Sequence, residues 1–178
     1  MRKVGGVLVA VAMVLPIGLI ASPAQAAGGT TCKTNIGASV FTPALPPLSS
    51  SATVNSTTVG TGKISGCVGG GVTGGTYKST LKYTAYNCKQ LITYNPKPRT
   101  GTITTKWSNG QTSTGTITLH AIKGSISKVN VTGVTTAGLF KGLKLTTSFT
   151  FAAVPATGCV KTPLAKVSIK GASPTVIK

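Results

Sequence analysis

Apolar and polar residues alternate one by one over much of this chain. Leu143, Leu145, Thr147, Phe149 and Phe151 fall on one face of an extended segment, and Lys144, Thr146, Ser148 and Thr150 on the other. Tyr77, Leu81, Tyr83 and Ala85 alternate in the same way with Lys78, Thr80, Lys82 and Thr84, and Val129 and Val131 with Lys128, Asn130 and Thr132. A period of two with apolar residues inward and Lys or Thr outward is the signature of antiparallel sheet with one wet face. Strands are expected over 36–41, 57–67, 76–87, 100–108, 111–122, 127–134, 143–153 and 164–170. Thr, Val and Ile suit a pleated surface, recurrent Gly marks turns, and no long helical period interrupts the series. Eight strands with short links predict a single all-β domain, an antiparallel meander that closes into a barrel or folds into a sandwich. Residues 42–56, with Pro43, Pro46 and Pro47, read as an extended Pro/Ser/Thr-rich connector inside that domain.

Asn109-Gly110 between two β-rich runs predicts a two-residue hairpin turn, because type I′ geometry needs φ > 0 at both positions. That turn pairs Trp107 with Thr112 and turns Ile117 and Leu119 away from Trp107. One inserted residue near Gly115 would bring them back, so a bulge is expected there. The run Gly69–Gly75 matches a phosphate-cradling loop only in glycine count. It lacks the helix and the Lys-Ser/Thr that such a loop needs and reads as a hairpin tip.

The N-terminus changes the compartment. Arg2 and Lys3 precede an apolar stretch of 17 residues, Val4 to Ile20, and Ala24-Gln25-Ala26 follows as a small-x-small cleavage signal. Residues 1–26 are read as a secretory signal peptide and 27–178 as the exported all-β domain. A membrane anchor is the competing reading, but the stretch is at the short limit for a span and contains Pro16. No transmembrane segment is expected after cleavage. The four cysteines, Cys32, Cys67, Cys88 and Cys159, then imply two disulfides. Their spacing does not suit zinc.

Placing 57–67 and 76–87 in one hairpin about Val72 sets Cys67 opposite Tyr77 and Cys88 opposite Ser56. The two ends are then separated by roughly 36 Å at about 3.3 Å per residue, far beyond disulfide reach. Two pairings remain: Cys32–Cys67 with Cys88–Cys159, or Cys32–Cys88 with Cys67–Cys159. The first is preferred, because the Pro-rich connector lets the N-terminal strand fold back on 57–67.

Composition matters most through what is missing. The chain carries 18 Lys and Arg, no Asp, no Glu and one His, for a net charge of +18. A chain without side-chain carboxylates has no glycosidase acid/base pair, no aspartic dyad, no Ser-His-Asp triad and no carboxylate cage for calcium or magnesium. His120, placed by the hairpin near Trp107, lacks an orienting carboxylate and reads as a structural or surface histidine. No catalytic residue, metal site or cofactor is expected, and the protein is read as non-enzymatic.

Repeated Thr-x-Thr pairs at Thr102/Thr104 and Thr112–Thr118 read as the wet face of a twisted sheet. An ice-ordering array would need many stacked strands. The stiff basic segment Asn95-Pro96-Lys97-Pro98-Arg99 is a solvated connector or an exposed contact loop.

Certain marks also resemble a known group. They are Ile64-Ser65-Gly66-Cys67, Asn87-Cys88, Trp107-Ser108-Asn109-Gly110-Gln111-Thr112-Ser113, Gly138-Leu139-Phe140-Lys141-Gly142 and Gly158-Cys159. Over roughly residues 30–170 the chain resembles small secreted actinobacterial all-β proteins of unassigned function. The resemblance implies a fold group and carries over no catalytic residue.

Function therefore rests on the lysines. With no carboxylate side chain to pair with, they must be solvated or face external anions. All but one of the domain's cations are Lys, and Lys is a point charge without the bidentate fork that reads guanine. Sequence-specific nucleic-acid readout is therefore not expected. Lys78, Lys82, Lys97, Arg99, Lys128 and Lys144 are the candidate contacts. The expected partners are anionic cell-envelope polymers or an anionic membrane surface, in a secreted or wall-associated setting. The alternative is a secreted inhibitor or toxin-like binder acting through an exposed loop, and a small hydrolase is the remote one.

Overall fold

The structure is a computed structural model that describes residues 28–92, 97–125, 127–154 and 157–178. The segment read as a signal peptide lies outside them. The chain is an eight-stranded antiparallel barrel with one further strand and a single helical turn. In order these are β1 (Thr30–Leu45), β2 (Val54–Val68), β3 (Gly74–Tyr86), α1 (Cys88–Ile92), β4 (Arg99–Trp107), β5 (Thr112–Ala121), β6 (Lys128–Gly138), β7 (Lys144–Val154), β8 (Leu164–Gly171) and β9 (Thr175–Ile177). Each strand from β1 to β8 pairs with the next, and β8 returns to β1, so the meander closes. Between barrel and sandwich, the barrel is what forms. Closure leaves β1 to β8 without a free sheet edge, the arrangement that best protects strand backbones.

β9 continues the line of β8 after the break at Ala172-Ser173-Pro174, and pairs Thr30–Cys32 of β1 on one side and Leu145–Thr146 of β7 on the other. Pro174 cannot donate to a ladder, and beside it the Ser148 backbone N–H donates to the Ser173 hydroxyl (2.9 Å).

The alternation is realised as expected on most strands. Leu145, Thr147, Val129, Val131, Tyr77, Leu81 and Tyr83 are buried, while Lys128, Lys144, Lys78 and Lys82 are exposed. Ala85 departs from the pattern: it is exposed at φ 51°, and the register shifts by one between Val54 and Ser56, which buries Tyr86 in its place. The 42–56 connector is shorter than expected, because β1 runs to Leu45 and β2 starts at Val54.

The turn after β4 has three residues, not two. The Trp107 N–H donates to the Gln111 carbonyl (2.8 Å), and the Gly110 N–H to the Trp107 carbonyl (3.0 Å), with Gly110 at φ 82°. Thr105 therefore pairs with Ser113 and Gly101 with Ile117, which already sets Ile117 and Leu119 on the Trp107 side. The irregularity near Gly115 is present but belongs to the β5–β6 ladder, where the extra residue is Thr136 on β6. The β2–β3 hairpin is likewise displaced, with Gly62 and not Cys67 opposite Tyr77. The far end moves with it, with Tyr83 and not Cys88 opposite Ser56, and Cys67 and Cys88 still stay at opposite ends of the hairpin.

Cys32 is bonded to Cys67 and Cys88 to Cys159, the preferred pairing. Cys32 and Cys67 are direct partners across β1 and β2. Cys88, on α1, is bonded to Cys159, in the segment between β7 and β8.

The candidate functional site at the Arg99 end

Every lysine among the described residues is exposed. Lys78, Lys82, Lys128 and Lys144 project from the outer wall of β3, β6 and β7, and Lys97 precedes β4. They form a field, not a cluster. Asn95 and Pro96 lie outside the described residues, so the expected contact loop is described only at Lys97 and Pro98, both exposed.

Arg99 differs from the other cations. The sequence pattern sets it in an exposed loop, but it opens β4 with only 9% of its surface exposed. The reason is the pair of rings beneath it. Tyr83 and the bulge-buried Tyr86 pack edge-on at 5.0 Å, and the Arg99 guanidinium carbon lies 4.9 Å from the Tyr86 ring centre and 5.6 Å from that of Tyr83. Cation–π contacts of this kind contribute on the order of 0.5–2 kcal/mol. They provide no hydrogen-bond acceptor, and the Arg99 Nε–H has none. Burial pushes the Tyr83 phenol up and Arg99 pulls it back in part, so that phenol stays neutral and is no counter-ion.

An uncompensated buried charge is costly, and in this chain no side chain can compensate it. The C-terminal residue Lys178 is fixed by backbone bonds to Lys144 at the opposite end of the barrel. Above Arg99 opens a cleft of about 390 Å³, bounded by Lys82, Thr84, Gln90, Lys97 and Pro98. Three of the six candidate contacts thus meet at one cleft, while Lys78, Lys128 and Lys144 lie elsewhere on the wall. The sequence carried one signal for this centre, a lone Arg among lysines, but the rings that bury it become visible only with the β3 bulge.

His120 lies on the outer wall near the end of β5, exposed, with Nε2 3.4 Å from the Thr132 hydroxyl. It is not near Trp107, which is buried at the other end of the barrel. The Gly69–Gly71 run forms the β2–β3 tip, with all three glycines at positive φ. The Thr ladder of β4 and β5 continues onto Thr132 and Thr146 across β6 and β7, on a curved wall. No group of His and Cys that could hold a metal occurs among the described residues. No helix among them is long and apolar enough to cross a membrane. No family model matches the chain, and no curated protein or solved structure matches it.

Proposed function

We propose that this is a non-enzymatic cationic protein that holds anionic polymers, with the lysine wall supplying long-range attraction and the Arg99 cleft seating one anionic group. The two disulfides suit an oxidising environment, and export by the N-terminal segment, with envelope phosphate polymers as partners, belongs to this proposal. So does kinship with the secreted actinobacterial group. The observation that carries the reading is the buried Arg99 guanidinium in a chain with no carboxylate side chain. A phosphate or carboxylate entering the cleft would satisfy Nε and bring Lys82 and Lys97 into reach, the charge-assisted geometry that makes Arg strong.

The test is binding to inorganic polyphosphate across a salt series. Affinity is expected to fall steeply with the logarithm of salt. Arg99→Met should cost about tenfold or more, since a hydrogen bond to a charged group contributes roughly 1.5–3 kcal/mol. Lys144→Ala should cost only a few-fold. Retention that barely responds to salt would overturn the proposal, and an Arg99→Met loss no larger than that of Lys144→Ala would remove the specific seat.

A further inference from the structure

The barrel interior holds a second feature that the lysine wall does not explain. A cavity of about 80 Å³ runs between side chains of all eight barrel strands, β9 and α1. A single water needs roughly 10–15 Å³ of such space, so this one exceeds a water site several-fold. Its lining is sorted along the barrel. Toward the Arg99 end it is mainly apolar, with Phe41, Leu81, Leu119 and the half-buried Leu91 and Phe151 beside Tyr83. Toward the Trp107 end it carries hydroxyl and amide groups.

Two of those groups are buried and unpartnered. Tyr77 is 7% exposed and Asn35 5%, and neither the Tyr77 hydroxyl nor Asn35 Oδ1 has a hydrogen-bond partner. Both line the cavity. Asn35 is fixed in orientation: its Nδ2 donates to Thr175 Oγ1 (3.3 Å), which donates in turn to Thr147 Oγ1 (3.2 Å). Oδ1 is thereby left as a bare acceptor.

The Tyr77 ring reaches across β2 toward β1, and two glycines make the space. A methyl group at Gly62 would come within 2.5 Å of the Tyr77 oxygen, and one at Gly37 within 2.7 Å. Gly37 lies two residues from Asn35 on the same face of β1. The interior thus offers one unused donor and one unused acceptor on neighbouring positions. One hydroxyl group satisfies both at once, accepting from Tyr77 and donating to Asn35.

We propose that the barrel interior is a binding site for a small, mostly apolar molecule bearing a single hydroxyl group, its apolar body toward Phe41 and Leu119 and its hydroxyl between Tyr77 and Asn35. Apolar cavities of comparable kind stay dry and take up small hydrocarbons. The buried polar pair adds a selection for the alcohol, because a site built to bond a hydroxyl discriminates against its absence.

Trp107 lines the cavity and is the only tryptophan of the chain, so its fluorescence reports occupancy. The full-length protein is titrated with cyclohexanol and with methylcyclohexane, which match in size. Both are expected to give a saturable change in Trp107 emission. In Tyr77→Phe, which keeps the ring, the affinity ratio of alcohol over hydrocarbon should fall at least tenfold. Two results would overturn the proposal: wild-type protein that responds to neither molecule, leaving the cavity to water alone, or a ratio unchanged in Tyr77→Phe. The wild-type titration stands whatever the variant does to folding.

Discussion

At one end of the barrel Trp107 packs edge-on against Phe140 at 5.2 Å and donates its indole N–H to Ser113 (2.7 Å), whose hydroxyl passes the bond on to the Leu139 carbonyl. At the other end Tyr83 and Tyr86 also pack edge-on, but the polar group they cover is Arg99, whose Nε finds no acceptor. The two ends use the same device, aromatic rings over a polar centre. They differ in whether the polar chain closes on itself. Where it closes, the end is a finished piece of core. Where it stops at a charge, a buried donor is left over. The contrast is local to these two ring pairs, since Tyr77 and Asn35 in the Trp107 half also keep polar atoms without a partner.

The largest effect should come from breaking the finished end. Trp107→Ala is expected to cost about 3–5 kcal/mol in urea unfolding, the range for truncating a buried aromatic. Leu91→Ala at the other end, where the side chain is only half-buried, should cost about 1 kcal/mol. Equal losses would mean that both ends are core in the same sense.

The disulfides sharpen the contrast. Each closes a long loop and contributes about 4 kcal/mol in the chain-entropy view. Cys32 and Cys67 are also strand partners, so the ladder holds them when the bond is gone. Cys88 and Cys159 are not strand partners, and each has one backbone bond to the segment between β1 and β2: Cys88 N–H donates to the Pro46 carbonyl (3.0 Å) and Leu48 N–H to the Cys159 carbonyl (2.7 Å). Removing the second pair (Cys88→Ser with Cys159→Ser) should therefore cost the full ~4 kcal/mol and weaken polyphosphate binding. Removing the first should cost less and leave binding intact. Binding that survived loss of the second pair would separate the Arg99 cleft from its bridge.

Alkali probes the interior. Burial pushes the Tyr77 phenol from its ordinary 10.0 to about 12. A phenol that stays protonated in the folded state and ionises in the unfolded one stabilises the fold fully below pH 10. That contribution is lost as pH rises from 10 through 12. Wild type should lose up to about 3 kcal/mol relative to Tyr77→Phe across that window. Chemical unfolding of both proteins at pH 9 and pH 11.5 measures the difference, and a constant gap would show that Tyr77 is already solvated.

The smallest expected effect is none. Neither end contains a side-chain carboxylate, and carboxylate protonation drives most acid unfolding. The melting temperature should stay level from pH 5 to pH 2. A sharp fall would show that a group other than a side-chain carboxylate controls acid stability.

Much of the wall was legible in the sequence and little of the interior. Alternation places Val129, Val131, Leu145 and Thr147 inside because period two depends only on the residues themselves. Strand ends that cannot meet excluded Cys67–Cys88 and left two disulfide pairings, of which the preferred one forms. The Trp107 hairpin was recognised but its register was off by one, since Asn109-Gly110 fits a two- or a three-residue turn, and the choice is made by burying Ile117 with Trp107. Burial of Arg99 depends on Tyr86, and Tyr86 turns inward only because Ala85 takes a left-handed conformation, a residue with no composition signal for it. β9 is three residues long and has no period to detect. The cavity depends on Gly37 meeting Gly62 across a ladder, and neither glycine signals that until the strands are paired.

The seam of the barrel sets an order of events. β1 is the first strand to be synthesised, yet its partners include β8 and β9, and the last of these pairs Thr30 with Ile177. The cylinder cannot shut until β8 has arrived. Until then β1 has β2 for a partner on one side and an open edge on the other, and Cys88 waits for a cysteine 71 residues later. Contacts this distant in sequence form slowly. A polypeptide whose early and late strands are neighbours keeps one edge of β1 open until the late strands are made.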